Sequence, residues 1–236
     1  MSKSNVWMSV SDLMTGLMVI FLFVAISYLV EVEKNQSVIV DYQDTKNKLH
    51  DKLVSEFSGD TARWQMSIGK DLSLKFNDPT VLFELGEEKL TPKFKEILDE
   101  FLPRYFDILL KDTLRDRIQE IRIEGHTDDV PARKYHPDPY LGNVILSQKR
   151  ALRVVEYYRN MECFKTYTDE EQKQIEFWLT ANGFSYGKAL DDKGNYIMLS
   201  KNPINAELSR RVEIRIVTNG DKIIENWLEK KEKGLF

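Results

Sequence analysis

Two places in this 236-residue chain set side chains where they could do chemistry. The first is Asp12, the single carboxylate in the apolar run Ser9 to Val30, SVSDLMTGLMVIFLFVAISYLV. The second is a pair: Asp128 in IEGHTDDVP (Ile123 to Pro131) and Arg150 in NVILSQKRALRVV (Asn143 to Val155). An acid at a strand end and a guanidinium on the next helix can hold a zwitterion. The acid accepts from an ammonium, and the arginine grips a carboxylate through two parallel bonds. The same two residues can instead form an internal ion pair that pins the loop to the helix, and the spacing leaves both readings open. His126 reads as a structural residue that hydrogen-bonds its turn. No nucleophile–carboxylate set accompanies it, so no enzyme activity is expected.

The apolar run has membrane dimensions. Leu13 to Val30 is about 18 residues without a formal charge, near the lower limit for a spanning helix. Adding Val6 to Ser11 gives roughly 25 residues, enough to cross with some tilt. A cleaved signal peptide competes with this reading. Ala25 and Ser27 make a small-x-small pair, but bulky Tyr28-Leu29-Val30 follows and the leading segment holds only Lys3, which favours a retained anchor. Lys3 and the α-amine on one side, against Glu31-Val32-Glu33-Lys34 on the other, put the N-terminus in the cytoplasm and the rest outside it.

On a helix Asp12 shares a face with Met8, Gly16, Val19 and Phe23, and Thr15 lies at i+3. Gly16 suits close helix packing, and the Thr15 hydroxyl can bond the carboxyl or a permeant ion. An ionised acid in hydrocarbon costs about 2.5–3.5 kcal/mol on insertion scales, which favours the neutral form. A carboxyl that gains and loses a proton is what a proton relay requires. The alternative is a helix-capping Asp at the interface, beside Ser9 and Ser11.

Composition narrows the remainder. A formal charge of −4 argues against direct nucleic-acid binding, which usually shows a basic stripe. The one cysteine, Cys163, excludes an intramolecular disulfide. His50, His126 and His136 show no ligand-like spacing, so neither a metal site nor a cofactor is expected.

The spacing predicts five segments: a cytoplasmic tail (1–11), a transmembrane helix (12–30), a helical linker (31–63), a folded domain (64–219) and a tail (220–236). In the linker Ile39, Tyr42, Leu49, Leu53 and Phe57 recur at near-heptad spacing, as in a pairing helix. Lys46 and Glu56 interrupt the set, so a solvated spacer is equally compatible. Gly59-Asp60 ends the segment. Trp64, Met66 and Ile68, then Leu72, Leu74 and Phe76, alternate as strands around a turn at Gly69-Lys70-Asp71. Thr91 and Pro92 open a helix that Pro103 bends or interrupts. A strand covers Ile118 to Glu124, a second helix about Leu146 to Arg159, and a third starts at Thr168 with a capping box to Glu171. Arg211 to Val217 alternates as a last strand, and Asp221 to Lys233 reads as a short amphipathic helix. The interleaving gives an α/β (α+β) sandwich with a mixed sheet and helices on one face.

With these motifs in place, Trp64 to Thr218 resembles OmpA-like peptidoglycan-binding domains. The carriers are GHTD, the N-x-x-L-S-x-x-R-A stretch from Asn143, and LFELGEEKLTP (Leu82 to Pro92). The resemblance implies peptidoglycan binding at Asp128 and Arg150, with Thr127 and Asn143 beside them. Ser209 departs from it, since the family often has Asn before the Arg-Arg-Val-Glu-Ile that follows here. The membrane segment SDLMTGLMVIFLF resembles MotB-type stator subunits, in which the aspartate carries the ion. It implies a dimer inside a pentamer of a MotA-like multi-helix partner (ZorA-like in the defence branch), with H⁺ as the expected ion. The short tail before Asp12 is more similar to the ZorB branch, from Zorya phage-defence systems, than to flagellar MotB. An envelope-tethering protein without ion transport is the reading from a different class.

Overall fold

The computed structural model describes residues 3–84, 86–111 and 113–220, apart from the side chains of 3–9, 34–38, 79 and 80. The amphipathic tail helix expected at 221–233 lies outside the described residues. The described chain divides into two units, one ending at Asp44 and one beginning at Thr45. In chain order the elements are α1 (Lys3–Phe57), β1 (Met66–Ile68), β2 (Ser73–Phe76), α2 (Pro79–Leu82) and α3 (Pro92–Lys111). A single 3₁₀ turn, Arg115–Arg117, leads into β3 (Ile118–Gly125). Then come α4 (Pro139–Asn160), α5 (Glu162–Thr166), α6 (Asp169–Trp178) and β4 (Leu179–Gly183), and finally α7 (Ile197–Ser200), α8 (Ala206–Ser209) and β5 (Val212–Thr218).

In the first unit, α1 carries an apolar stretch, Val10–Glu33, long enough to cross a membrane by length and composition. Its large side chains, Leu13 to Val30, face outward from the chain. An apolar surface on all sides of a helix needs an apolar surrounding.

The second unit begins at Thr45, earlier than the Trp64 boundary expected from composition. Leu49, Leu53 and Phe57 are fully buried in the core, with Phe57 tilted against Phe101 at 5.0 Å. Their i, i+4 spacing is therefore neither a pairing seam nor a solvated spacer: it docks the end of α1 against α3. Arg104 locks the junction by bonding the Glu56 carboxylate and carbonyl and the Asp60 carboxylate. Asp60 is held below the usual carboxylate range by hydrogen bonds from Arg104 and then Arg63.

The sheet runs β1-β2-β5-β3-β4. Its β3–β4 pairing is parallel and the others antiparallel, so it is the mixed sheet expected. Period-2 alternation sends Ile121, Ile123, Ile214 and Ile216 into the core. The intervening Arg122, Glu124, Glu213 and Arg215 then form a charged row on the opposite face, where register pairs Glu124 with Glu213 and Glu213 with Lys75.

Several local expectations shift by a few residues. Pro103 neither ends nor splits α3. The second helix starts at Pro139, because Asp138 caps it by accepting from the Leu141 amide and Pro139 occupies the first turn. The Thr168–Glu171 capping box is formed at α6. Strand β4 was not anticipated: LTANG has little β propensity and forms by pairing with β3.

Candidate functional site

Two glycines fix where the site can form. Gly125 and Gly183 are register partners at the ends of β3 and β4. A Cβ on Gly125 would collide with the Ser147 carbonyl, and one on Gly183 with the Gln148 amide. Their absence of side chain lets α4 approach the strand ends closely. Ser147 is buried there, and its hydroxyl accepts from the Ser185 amide at 3.0 Å. The Ser185 carbonyl in turn accepts from the Thr127 amide at 3.1 Å. The serine of the L-S-x-x-R-A stretch thus braces the loop that carries Thr127 and Asp128. One helical turn further, Arg150 points into the same region.

Asp128 is 5% exposed. Its Oδ1 accepts from the Val130 amide at 3.3 Å, and its Oδ2 accepts from Arg210 Nη1 at 2.8 Å. The ion-pair partner is therefore Arg210, not Arg150. Sequence reading singled out the Arg210-Arg211 doublet for the residue before it and missed that its first arginine closes onto Asp128. The signal was present in the doublet, but only the fold brings position 210 to position 128.

Arg150 is also 5% exposed. Its Nε donates to the Glu87 carbonyl at 3.0 Å, and its guanidinium lies over the Phe83 ring at 4.9 Å. Among the described residues its two terminal nitrogens have no hydrogen-bond acceptor and no carboxylate lies at ion-pairing distance. Burial pulls Arg150 down to about 10, opposed by the attraction of Asp128, and it stays cationic at neutral pH. Thr127 Oγ1 is buried and has no partner either. Asn143 serves the loop: its amide nitrogen donates to the Val130 carbonyl at 2.9 Å and the Pro139 carbonyl at 3.1 Å. The structure thus sets Arg150 within electrostatic reach of Asp128, next to Thr127 in the chain, while Asn143 ties the loop to α4 at Val130. Ser209, where asparagine contacts were in doubt, is fully buried, and its hydroxyl accepts from the Leu190 amide at 2.9 Å.

His126 differs from expectation. Its ring nitrogens make no hydrogen bond with the turn; the ring stacks on Phe184 at 5.3 Å. Nε2 stands 3.7 Å from Glu124 and 3.9 Å from Glu213, so two carboxylates and an imidazole come together in the buried charged row. Register across β3 and β5 creates this cluster, which explains why histidine spacing could not reveal it. Its donor atoms lie within 4.8 Å of one another. The carboxylates are already matched, however: Arg211 Nε bonds Glu213 at 2.7 Å, Arg215 Nη2 bonds it at 3.0 Å, and Arg215 Nε lies 3.4 Å from Glu124. A divalent ion would bring two further positive charges into a compensated, buried set, so these residues fit a metal poorly. Burial pulls the His126 imidazole below its ordinary value, against the raising influence of Glu124.

In the first unit, Thr15 Oγ1 donates to the Ser11 carbonyl at 2.8 Å. The hydroxyl proton is engaged with the helix, which leaves its lone pairs to accept from a protonated Asp12 or to face an ion.

Residues 82–193 match the model of the OmpA family, a span that holds Thr127, Asp128, Asn143 and Arg150. Over 94% of its length the chain is 36% identical to Zorya protein ZorB of Escherichia coli, covering 92% of that protein. The chain belongs to the ZorB family. Among solved structures it is similar to the periplasmic domain of Helicobacter pylori MotB, residues 90–256. Identity there is 16%, the TM-score 0.41, and the match covers 68% of this chain and 82% of that one. A second crystal structure of that domain, residues 97–256, gives 20% identity, a TM-score of 0.39, and coverage of 68% and 92%.

Proposed function

We propose that this chain is the wall-anchored subunit of an ion-driven rotary motor in the bacterial inner membrane, acting in anti-phage defence. The apolar part of α1 spans the membrane once, with the N-terminus in the cytoplasm and the OmpA-family domain in the periplasm. Asp12 carries the ion, a proton, assisted by Thr15. Two copies sit within a pentamer of a ZorA-like multi-helix partner, and Asp128, Arg150 and Thr127 hold peptidoglycan so that the anchored dimer stays still while ion flow turns the partner.

The observation that carries this reading is Arg150. A buried guanidinium whose two terminal nitrogens have neither acceptor nor ion pair among the described residues is a costly arrangement for a structural residue. Beside Asp128 it suits a ligand bearing an ammonium next to a carboxylate, which is the free amino-acid centre of a peptidoglycan stem. Membership of the ZorB family and the lone carboxylate in the apolar helix supply the motor half.

A sacculus pull-down with detergent-solubilised full-length chain tests the anchor. Asp128→Asn, which keeps an oxygen for the Val130 amide, and Arg150→Met are expected to lose most binding while remaining folded. For Arg150→Met the melting temperature holds or rises, since the substitution removes an unpaired buried charge and keeps an apolar stem over Phe83. Wild-type binding by both folded variants would move the wall contact elsewhere.

A further inference from the structure

Arg150 keeps one orientation only while its contacts with the protein hold. Two of those contacts, the Glu87 carbonyl at Nε and the Phe83 ring against the guanidinium, come from a single turn between α2 and α3, closed by antiparallel pairing of Phe83 with Leu90. A carbonyl and a ring carry no net charge with which to hold that turn on α4. Glu88 supplies the charge. Its Oε2 accepts from the Tyr135 hydroxyl, and its Oε1 stands 3.5 Å from Arg153 Nη2 and 3.8 Å from Lys149 Nζ. Lys149 and Arg153 flank Arg150 on α4 and form a like-charge pair one turn apart, which Glu88 offsets. Lys149 Nζ also lies over the Tyr135 ring at 5.3 Å, so the loop before α4 and the helix itself meet at one carboxylate. The Tyr135 hydrogen bond, opposed by burial and helped by Lys149, holds the Glu88 carboxyl below its ordinary value, and it stays anionic at neutral pH. Glu87 is fastened more loosely. Its carboxylate meets Lys134 at 2.5 Å, and the two side chains are 39% and 59% exposed, against 18% for Glu88.

We propose that Glu88 is a positioning residue for Arg150: by binding Tyr135, Lys149 and Arg153 it keeps the Phe83–Leu90 turn seated on α4, and the seated turn aims the guanidinium. The contacts run from a carboxylate that touches no ligand, through its neighbour's backbone carbonyl, to Arg150 Nε. With Nε held at a carbonyl and one face of the plane against a ring, the terminal nitrogens have a set direction. The long side chain has then lost its rotamer freedom before anything binds, which lowers the cost of binding. Released from the turn, the same guanidinium would move among rotamers and present its fork only part of the time. Partly exposed ion pairs add little to global stability, so the pull of Glu88 falls on the turn and not on the core. The consequence for binding rests on the wall-binding reading above; the seating of the turn does not.

Hydrogen exchange followed by NMR on the isotope-labelled full-length chain in detergent reads the seating through the Arg150 Nε–H, a signal identified by its loss in Arg150→Lys. The Trp178 Nε1–H, buried in the core and bonded to the Ile118 carbonyl at 3.0 Å, reports global opening beside it. In Glu88→Gln the Arg150 proton is expected to exchange about tenfold faster while the Trp178 proton keeps the parent rate, the pattern of a local opening. Tyr135→Phe, which removes one of the partners, should fall between parent and Glu88→Gln. Glu87→Gln keeps the carbonyl and should stay within about threefold of the parent. Salt at about 1 M, which screens the ion pairs, should speed the Arg150 proton in the parent and leave it nearly unmoved in Glu88→Gln. An Arg150 proton that exchanges at the parent rate in Glu88→Gln would overturn the proposal. Equal acceleration of the Trp178 proton would overturn it as well, since the loss would then be general unfolding. Sacculus binding by Glu88→Gln should weaken about tenfold. A faster Arg150 proton with parent-level sacculus binding would keep the task of Glu88 and strike the wall-binding reading instead.

Discussion

Two clusters of buried charge lie within a few residues of each other and are built in opposite ways. In the row across β2, β5 and β3, Glu213 is bonded by Arg211 and Arg215 and approached by Lys75, and Glu124 is approached by Arg215. Charges there are matched inside the protein. At the loop after β3, Asp128 is matched by Arg210, while among the described residues buried Arg150 has no carboxylate partner and the Thr127 hydroxyl no hydrogen bond. The first cluster is closed in charge, although Glu124 Oε2 and both His126 ring nitrogens lack a hydrogen-bond partner among the described residues. The second keeps bonding capacity that nothing in the described chain uses. Burial alone does not distinguish a binding site from a structural network, and neither do leftover hydrogen-bonding atoms; a buried charge without a counter-charge does.

The largest expected effect lies in the closed cluster. Glu213→Ala removes the main partner of Arg211, itself 2% exposed, and leaves a guanidinium buried with only carbonyl acceptors. Breaking such a pair costs about 3–5 kcal/mol. Denaturant unfolding of the parent and variant chains measures it. A loss below about 1 kcal/mol would put the two clusters on the same footing.

The same cluster sets a pH response. Burial holds the folded His126 neutral below the pH at which it titrates in the unfolded chain, about 6.5. The unfolded state therefore takes up a proton first, and stability falls as the pH drops from about 6.5 towards the folded value. Burial pushes Glu213 up, but the positive charges of Arg211 and Lys75 outweigh it and hold the carboxyl below its usual range. Its contribution is present above about pH 4.3 and is lost as the pH falls through the lower folded value. Melting temperatures between pH 7.5 and 5 should decline less in His126→Gln than in the parent. Parallel curves would remove His126 from the response.

The smallest effect sharpens the open cluster. Thr127→Val deletes a buried hydroxyl that bonds nothing, so stability should stay within about 1 kcal/mol of the parent or improve. Sacculus binding should nevertheless weaken several-fold, because that hydroxyl is one of the groups left for the ligand. A variant that melts far lower and binds normally would invert the assignment.

How far these features were legible in the sequence depends on whether they are local. The Thr168 capping box, the alternation of the last strand and the apolar run around Asp12 each depend on residues a few positions apart, and each was readable. Asp128 and Arg150 were readable as a pair because they flank one strand–helix turn. The Asp128–Arg210 contact spans 82 positions and the Glu124–Glu213 pairing depends on strand register, so no local pattern announced either. The linker was misread for the same reason. Leu49, Leu53 and Phe57 have helical spacing whether they face a second helix, solvent or a core, and only the arrival of α3 decides among the three.

The most direct measurement is phage protection in cells carrying Asp12→Asn, taken beside the amount of the chain in the membrane fraction. Asparagine keeps the shape and much of the hydrogen bonding but cannot exchange a proton. If Asp12 carries the ion, protection falls to that of cells lacking the chain while membrane levels stay at the parent value. Full protection by the variant would contradict the ion-carrying role and leave Asp12 as an inert carboxylate inside α1 on a plain membrane anchor.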